Sequence, residues 1–329
     1  MKRAFPFRLR LPIVAAPMFI ITGPELVIAA CKAGIIGAFP TMNCRTENEL
    51  ERWMSEIKIA VEHASASCAG YAVAPWAVNL VTHSTNTRLG EDLALVARYR
   101  PPIVITALGS PRPVMETVRN YGGIVIADVI NISLARKAAE AGVDGIACVS
   151  AGAGGHTGHL SPFAFLSAVR EFFDGWLTVG GGISDGAGVA GAIAAGADLI
   201  YMGTRFLATE ECRAVPAYKR MVIECGPDDL IVSAAVTGTP GSWLKPSLKA
   251  CGIDPDSLGG SRPRDYAPSD EAYKRWRDIW ACGQGLQVIR SIEPVATVVD
   301  RLEREYAIAR DRFYRLNGEI VIHDPNSHR

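Results

Sequence analysis

Short apolar runs alternate with amphipathic stretches along the first two hundred residues, and this alternation restricts the fold more than any other feature. Eight runs qualify as strands: IVAAP (13–17), IIGAFP (35–40), WAVNL (76–80), PIVITAL (102–108), GIVIADV (123–129), GIACVS (145–150), LTVGGG (177–182) and LIYMG (199–203). Each is too short for a helix and almost continuously apolar, as strands of a parallel sheet are when both faces are covered. The stretches between them carry helix punctuation. GPELVIAACKAG has Pro24 at the first helical position, where its missing N–H costs nothing. TENELERW has Thr46 followed three residues later by Glu49, a capping box. ISLARKAAEAG and AGVAGAIAAG both finish on glycine. Three helix-to-strand joints, KAGIIGA, EAGVDGI and AAGADLI, resemble one another, as repeated βα units do. Eight such units predict an α/β chain folded as a (β/α)8 TIM barrel, with a doubly wound open sheet as the alternative.

After Arg205 the pattern breaks. Residues 207–284 hold no convincing parallel strand and are rich in Pro, Gly and charge, whereas residues from 285 onward return to helix. The expected organisation is a barrel made of 1–206 plus 285–329, with 207–284 as a mostly helical lid inserted after strand eight. Insertions at that end of a barrel lie on its active-site face. Trp243 and Trp280 are the aromatic candidates for the lid's inner side, with core packing as the alternative. Its basic residues, Lys245 and Lys249 among them, are interleaved with acids such as Asp254 and Asp256, which reads as mixed-charge surface.

Lys+Arg and Asp+Glu balance at 34 each among 329 residues, so there is no electrostatic footprint for nucleic acid. The eight cysteines are scattered without a C-x-x-C pair, which argues against structural zinc and suits reduced thiols in a cytoplasmic enzyme. The basic, then apolar start MKRAFPFRLRLPIVAAPMF resembles a secretory signal, but Pro12 and Pro17 interrupt it and LPIVAAP reads as a buried strand. No apolar run is long enough to span a membrane.

Chemistry concentrates after strands six, seven and eight. In VSAGAGGHTGHLSPF (149–163), four of the eight residues 151–158 are glycine, and His156 and His159 sit among them. Glycine lets backbone approach a ligand closely; a flexible turn with solvated histidines is the alternative. Gly180, Gly181 and Gly182 follow strand seven, just before Ser184, Asp185 and a helix. Met202, Gly203 and Thr204 close strand eight. Loops after strands seven and eight of such barrels often hold a phosphate on backbone N–H groups and a helix N-terminus. Ala16, Pro17 and Met18 end strand one, Asn79 ends strand three and Asp128 ends strand five. A phosphate, an amide, an apolar methionine and a histidine at one mouth suit a phosphorylated planar cofactor such as FMN. No metal site is expected.

The runs AAPM, VNL, GVDGI…AGGHTG, GGGISDG, ADLIYMGTRFLATEE and WACGQG together resemble the nitronate monooxygenase family, formerly 2-nitropropane dioxygenase, along essentially the whole chain. The family shares its FMN barrel with flavin-dependent enoyl-thioester reductases. The resemblance implies that Met18, Asn79, Gly154, Gly155, Gly181, Gly182, Gly203 and Thr204 line the FMN and that His156 faces the substrate; it implies no role for His159. Two positions depart from the pattern. Many relatives have an acid where this chain has Gly152, and some carry a lysine near Asp128. The implied activity is oxidation of alkyl nitronates with dioxygen, without a nicotinamide. The alternatives are enoyl-thioester reduction or acyl-CoA dehydrogenation, an NAD(P)H:quinone reductase, and a non-catalytic phospholigand barrel. The partners implied are a small-molecule substrate, nitronate or acyl thioester, and dioxygen; a homodimer is compatible with the sequence.

Overall fold

The computed structural model describes residues 4–67, 72–260 and 275–319. Eight parallel strands close a barrel in the order β1, β2, β3, β4, β5, β6, β8, β9. These are β1 (Ile13–Ala15), β2 (Ile36–Pro40), β3 (Trp76–Val81), β4 (Ile103–Ala107), β5 (Ile124–Val129), β6 (Gly145–Val149), β8 (Trp176–Gly180) and β9 (Leu199–Met202). Every strand expected from the sequence is one of them. The missing number, β7 (Gly155–His156), lies outside the barrel. Seven helices fill the crossovers: α1 (Pro24–Lys32), α2 (Glu47–Ser67), α3 (Leu89–Tyr99), α4 (Arg112–Asn120), α5 (Ile132–Glu140), α6 (Pro162–Arg170) and α7 (Gly186–Ala194). The short α8 (Thr204–Leu207) follows β9. Among the described residues no helix is long and apolar enough to cross a membrane.

Local chemistry accounts for the joints. Thr46 Oγ1 accepts the Glu49 N–H at 3.2 Å, and Glu49 reaches back to the N–H of Arg45, one residue beyond the usual box. The three similar joints turn on Gly34, Gly142 and Gly196, all with positive φ, a conformation that costs glycine nothing. Side chains alternate between two cores, as period two requires. Val14, Ala38, Ala77, Ile105, Ile126, Ala147, Leu199 and Tyr201 fill the barrel. Val78, Val104, Val125, Ile146, Val179 and Ile200 face the helices.

Residues after α8 form α9 (Pro216–Glu224), β10 (Leu230–Ser233), β11 (Gly241–Leu244) and α10 (Lys245–Ala250). The two strands were not evident in the sequence. They pair antiparallel, and β11 pairs in turn with β7, so the segment is stitched to the loop that carries His156. Residues 261–274 of the expected lid lie outside the described residues, as does Cys68. The long α11 (Val295–Glu319) returns to the barrel, burying Val295, Val298, Val299 and Leu302. Its Glu305 accepts the Gly186 N–H at the start of α7. The seven described cysteines are unpaired. Burial pushes the thiols of Cys31, Cys44, Cys148 and Cys282 up to about 12, so none is poised as a nucleophile.

Candidate active site at the barrel mouth

Four barrel loops and one distant segment meet at the C-terminal mouth. The N–H of Ala16 donates to the carbonyl of Met202 at 3.0 Å, which joins the ends of β1 and β9. The position a Cβ would take on Gly203 is 3.5 Å from Met18 Sδ. Gly152 is the hub of the loop after β6: its carbonyl accepts N–H groups from Gly182 (3.0 Å) and Gln284 (2.9 Å). Thr204 Oγ1 accepts the N–H of Gly283 at 2.9 Å. Residues 282–285, noticed in the sequence only as part of WACGQG, therefore wedge between the loops after β6, β8 and β9. A side chain on Gly154 would strike Gly283 N at 2.7 Å.

The site residues expected from sequence do not all present side chains here. Met202 is buried between barrel and helices and offers the mouth only its backbone. His159 is exposed. At the helix N-terminus expected to take a phosphate after β8, two of the N–H groups are engaged by carboxylates: Asp185 Oδ1 accepts from Gly188 N at 2.7 Å and Glu305 accepts from Gly186 N at 2.8 Å. Ser184 is buried beneath Gly285. What remains open is backbone. A Cβ on Gly182 would meet nothing nearer than 4.0 Å.

Asn43 is a residue the sequence did not single out. Its Nδ2 donates to the carbonyls of Met18 (3.1 Å) and Thr22 (2.8 Å), and its Oδ1 accepts the N–H of Ile20 (2.7 Å). Ile20 sits at φ 71, a strained conformation for a β-branched residue. One amide thus braces the turn that presents Met18. Each intramolecular hydrogen bond is worth about 1 kcal/mol net, so Asn43→Ala is expected to cost about 1–3 kcal/mol of stability in a urea titration. A change below a few tenths would show that the brace carries no load.

Asn79 and Asp128 lie one step above Ala77 and Ile126 on the interior face of their strands, so both belong to the uppermost layer of the barrel. Tyr201 on β9 donates its hydroxyl to Asp128 Oδ1 at 3.0 Å. Burial pushes the Asp128 carboxyl up to about 7, while the Tyr201 hydrogen bond pulls the other way.

His156 is held on an edge of protein rather than in a flexible turn. Its backbone is in register with Gly241, and Thr157 N donates to Pro240 O at 3.0 Å. Its Nε2 lies 3.4 Å from Thr237 Oγ1, a long contact. That hydroxyl also lies 3.1 Å from Thr239 O, to which it can donate. The ring meets Trp276 edge-on, with centroids 5.2 Å apart at 87°. Trp276, not Trp243 or Trp280, is the aromatic beside His156. Trp243 is wholly buried in the inserted segment's own core with Leu248 and Ile279. Trp280 stacks on Tyr218 at 5.0 Å.

The family model for nitronate monooxygenase matches residues 6–245. The chain belongs to the nitronate monooxygenase family. It is an oxidoreductase, and the family is a flavin-dependent one. A nitronate monooxygenase of Paraburkholderia phytofirmans is 28% identical over 340 residues, spanning 89% of this chain and 92% of that one. Equally similar, at 28% over 260 residues, is the (3aS,4S,5R,7aS)-5-hydroxy-7a-methyl-1-oxo-octahydro-1H-indene-4-carboxyl-CoA dehydrogenase of Mycobacterium tuberculosis, with 78% of this chain and 68% of that one covered. Among solved structures, nitroalkane oxidase from Streptomyces ansochromogenes superposes with a TM-score of 0.78 at 23% identity, over 92% of this chain and 98% of that one, a likeness of fold.

Two stretches that carry the family resemblance have local structural roles. Gly152 has φ +85, and a Cβ there would lie 2.9 Å from Gln284 Oε1; the acid of many relatives does not fit this loop as it stands. Beyond MGT, the run RFLATEE is a fastener. Buried Arg205 pairs with Glu293 at 3.2 Å, and both Glu211 oxygens accept the Val295 N–H that starts α11.

Proposed function

We propose that the chain is an FMN-dependent enzyme that oxidises alkyl nitronates with dioxygen. The observation that carries this reading is the convergence of bare backbone after β6, β8 and β9 with a histidine anchored beside it by β11, Thr237 and Trp276. The fit to FMN rests on the open backbones of Gly182 and Gly203, where an added Cβ would meet no atom within 3.5 Å. These two glycines and Thr204 hold the phosphate. Ala16, Pro17 and Met18, braced by Asn43, form one wall of the cofactor site, and Gly154 and Gly155 bring the His156 loop against it. Gly180 and Gly181 keep the loop above β8 low, and Asn79 and Asp128 form the floor.

When bound, FMN carries the electrons between substrate and dioxygen. The protein orients the substrate and manages protons and water. Protonated His156 hydrogen-bonds the nitronate oxygens; neutral His156 accepts the α-proton of a nitroalkane. Trp276 and the described residues of the segment, 207–260 and 275–284, act as a lid that keeps bulk water from the reacting atoms.

The test is a stopped-flow comparison of reductants added anaerobically to the yellow holoprotein. Alkyl nitronate is expected to bleach the flavin band rapidly, whereas NADH and NADPH act slowly. Fast bleaching by an acyl-CoA, with no response to nitronate, would move the chain to thioester chemistry, the reading favoured by its equal similarity to the carboxyl-CoA dehydrogenase.

A further inference from the structure

Tyr201 is an unusual side chain for the inside of a small barrel. It occupies the interior position above Leu199 on β9, yet its hydroxyl bonds Asp128 on β5. Two strands, β6 and β8, lie between these in the barrel order. The ring has room to cross because the side chains under its path are small. On β6 the interior position is Ala147. On β8 it is Gly180, where an added Cβ would lie 2.8 Å from that of Tyr201. The Tyr201–Asp128 pair forms a strut across the top of the core. Below it are Ile126, Ile105 and Leu199; above it is the mouth.

Among the described residues, the partner of this carboxyl is the neutral Tyr201 hydroxyl rather than a cation. The other strands bring Ala16, Pro40, Asn79, Ala107, Val149 and Gly180 to this layer, none of them ionisable. Tyr201 faces Asp128 from β9, and the loop beyond β6 carries two further titratable groups, His156 and the exposed His159. Burial destabilises the charged form and pushes Asp128 up to about 7, against the pull of the neutral Tyr201 donor.

We propose that Asp128 is a proton-exchanging group of the cofactor site, taking up a proton when the flavin is reduced and releasing it on reoxidation, with Tyr201 as its positioning residue. This rests on the flavin reading above. Electrons pass from the nitronate to the flavin and on to dioxygen, so Asp128 is neither oxidised nor reduced. One O–H bond forms at its carboxylate, with a proton from water, as negative charge builds over the floor of the mouth. The same bond breaks when dioxygen removes that charge. The driving force is like-charge repulsion in a site of low dielectric.

The experiment is the midpoint potential of the bound flavin measured across neutral pH in wild type, Asp128→Asn and Tyr201→Phe. Wild type is expected to gain an extra downward slope above the pH at which Asp128 ionises in the oxidised state, an onset that burial moves upward from the usual carboxylate range. Asp128→Asn lacks that slope, matching wild type at low pH and lying above it at high pH. Tyr201→Phe removes a donor from the carboxylate, so its onset moves to higher pH. Infrared difference spectra of the wild-type holoprotein give an independent readout that needs no Asp128 variant: reduction above the onset should add a protonated-carboxyl band. Superimposable slopes in all three proteins, or a wild-type spectrum without that band, overturn the proposal and leave the flavin reading intact. A purified chain that neither carries nor takes up flavin overturns both.

Discussion

Replacing His156 with alanine is expected to lower kcat/KM for nitronate by about 10²–10⁴-fold, the contribution typical of a positioned acid–base group, and to leave the proposed flavin bound. The two effects separate because different parts of the loop do the two jobs. The proposed cofactor side is built from backbone, fastened by Gly152 O to Gly182 N and Gln284 N, and none of those bonds involves the imidazole. The strand pairing of His156 with Gly241 is also backbone and survives the change. What disappears is the ring between Thr237 and Trp276. Steady-state kinetics alongside the flavin-to-protein absorbance ratio checks both parts. Turnover close to wild type in a fully loaded variant would make His156 a packing residue for Trp276. His159→Ala, on an exposed side chain, serves as the control and should change little.

The barrel was legible in the sequence because its signal is repeated eight times and every strand is buried on both faces. The sheet of β7, β10 and β11 was not. A two-residue strand has no periodicity, and β10 and β11 have four residues each, recognisable only through their pairing. The loops of the site could be located from glycine and ordinal position, but what braces them could not. Asn43 acts on residues 21 to 25 positions away, and Glu305 caps α7 from 119 positions away. In the sequence Asp185 reads only as preceding a helix whose N-terminus could take a phosphate; in the structure it caps that helix. That Glu305 takes the Gly186 N–H beside it depends on where α11 returns. Tyr201 looked like one more apolar strand residue, since only the curvature of the barrel brings its hydroxyl to β5. Composition likewise cannot rank three tryptophans; the structure puts Trp243 in a core, Trp280 on Tyr218 and Trp276 on His156.

Two glycines that look alike in sequence should fail in different ways when enlarged to leucine. At Gly181 the backbone has φ +144, and a Cβ would lie 2.5 Å from the carbonyl oxygen of Ala151. Strain of about 1–3 kcal/mol for such a conformation adds to the collision with backbone, so Gly181→Leu is expected to lower Tm before any ligand is considered. Lost flavin in that variant would say little about where the phosphate sits. Gly203 is the informative position. It has φ −95 and ψ −63, an ordinary right-handed conformation, and a Cβ there would make normal contacts with Met18 and Ala16. The backbone tolerates a side chain; the space in front of it does not, if a phosphate binds there. Gly203→Leu should therefore purify folded, with Tm near wild type, yet colourless and unable to take up FMN at concentrations that refill wild-type apoprotein. Normal flavin content in that folded variant would move the phosphate away from the end of β9, and with it the reason for reading Gly182, Gly203 and Thr204 as one cradle.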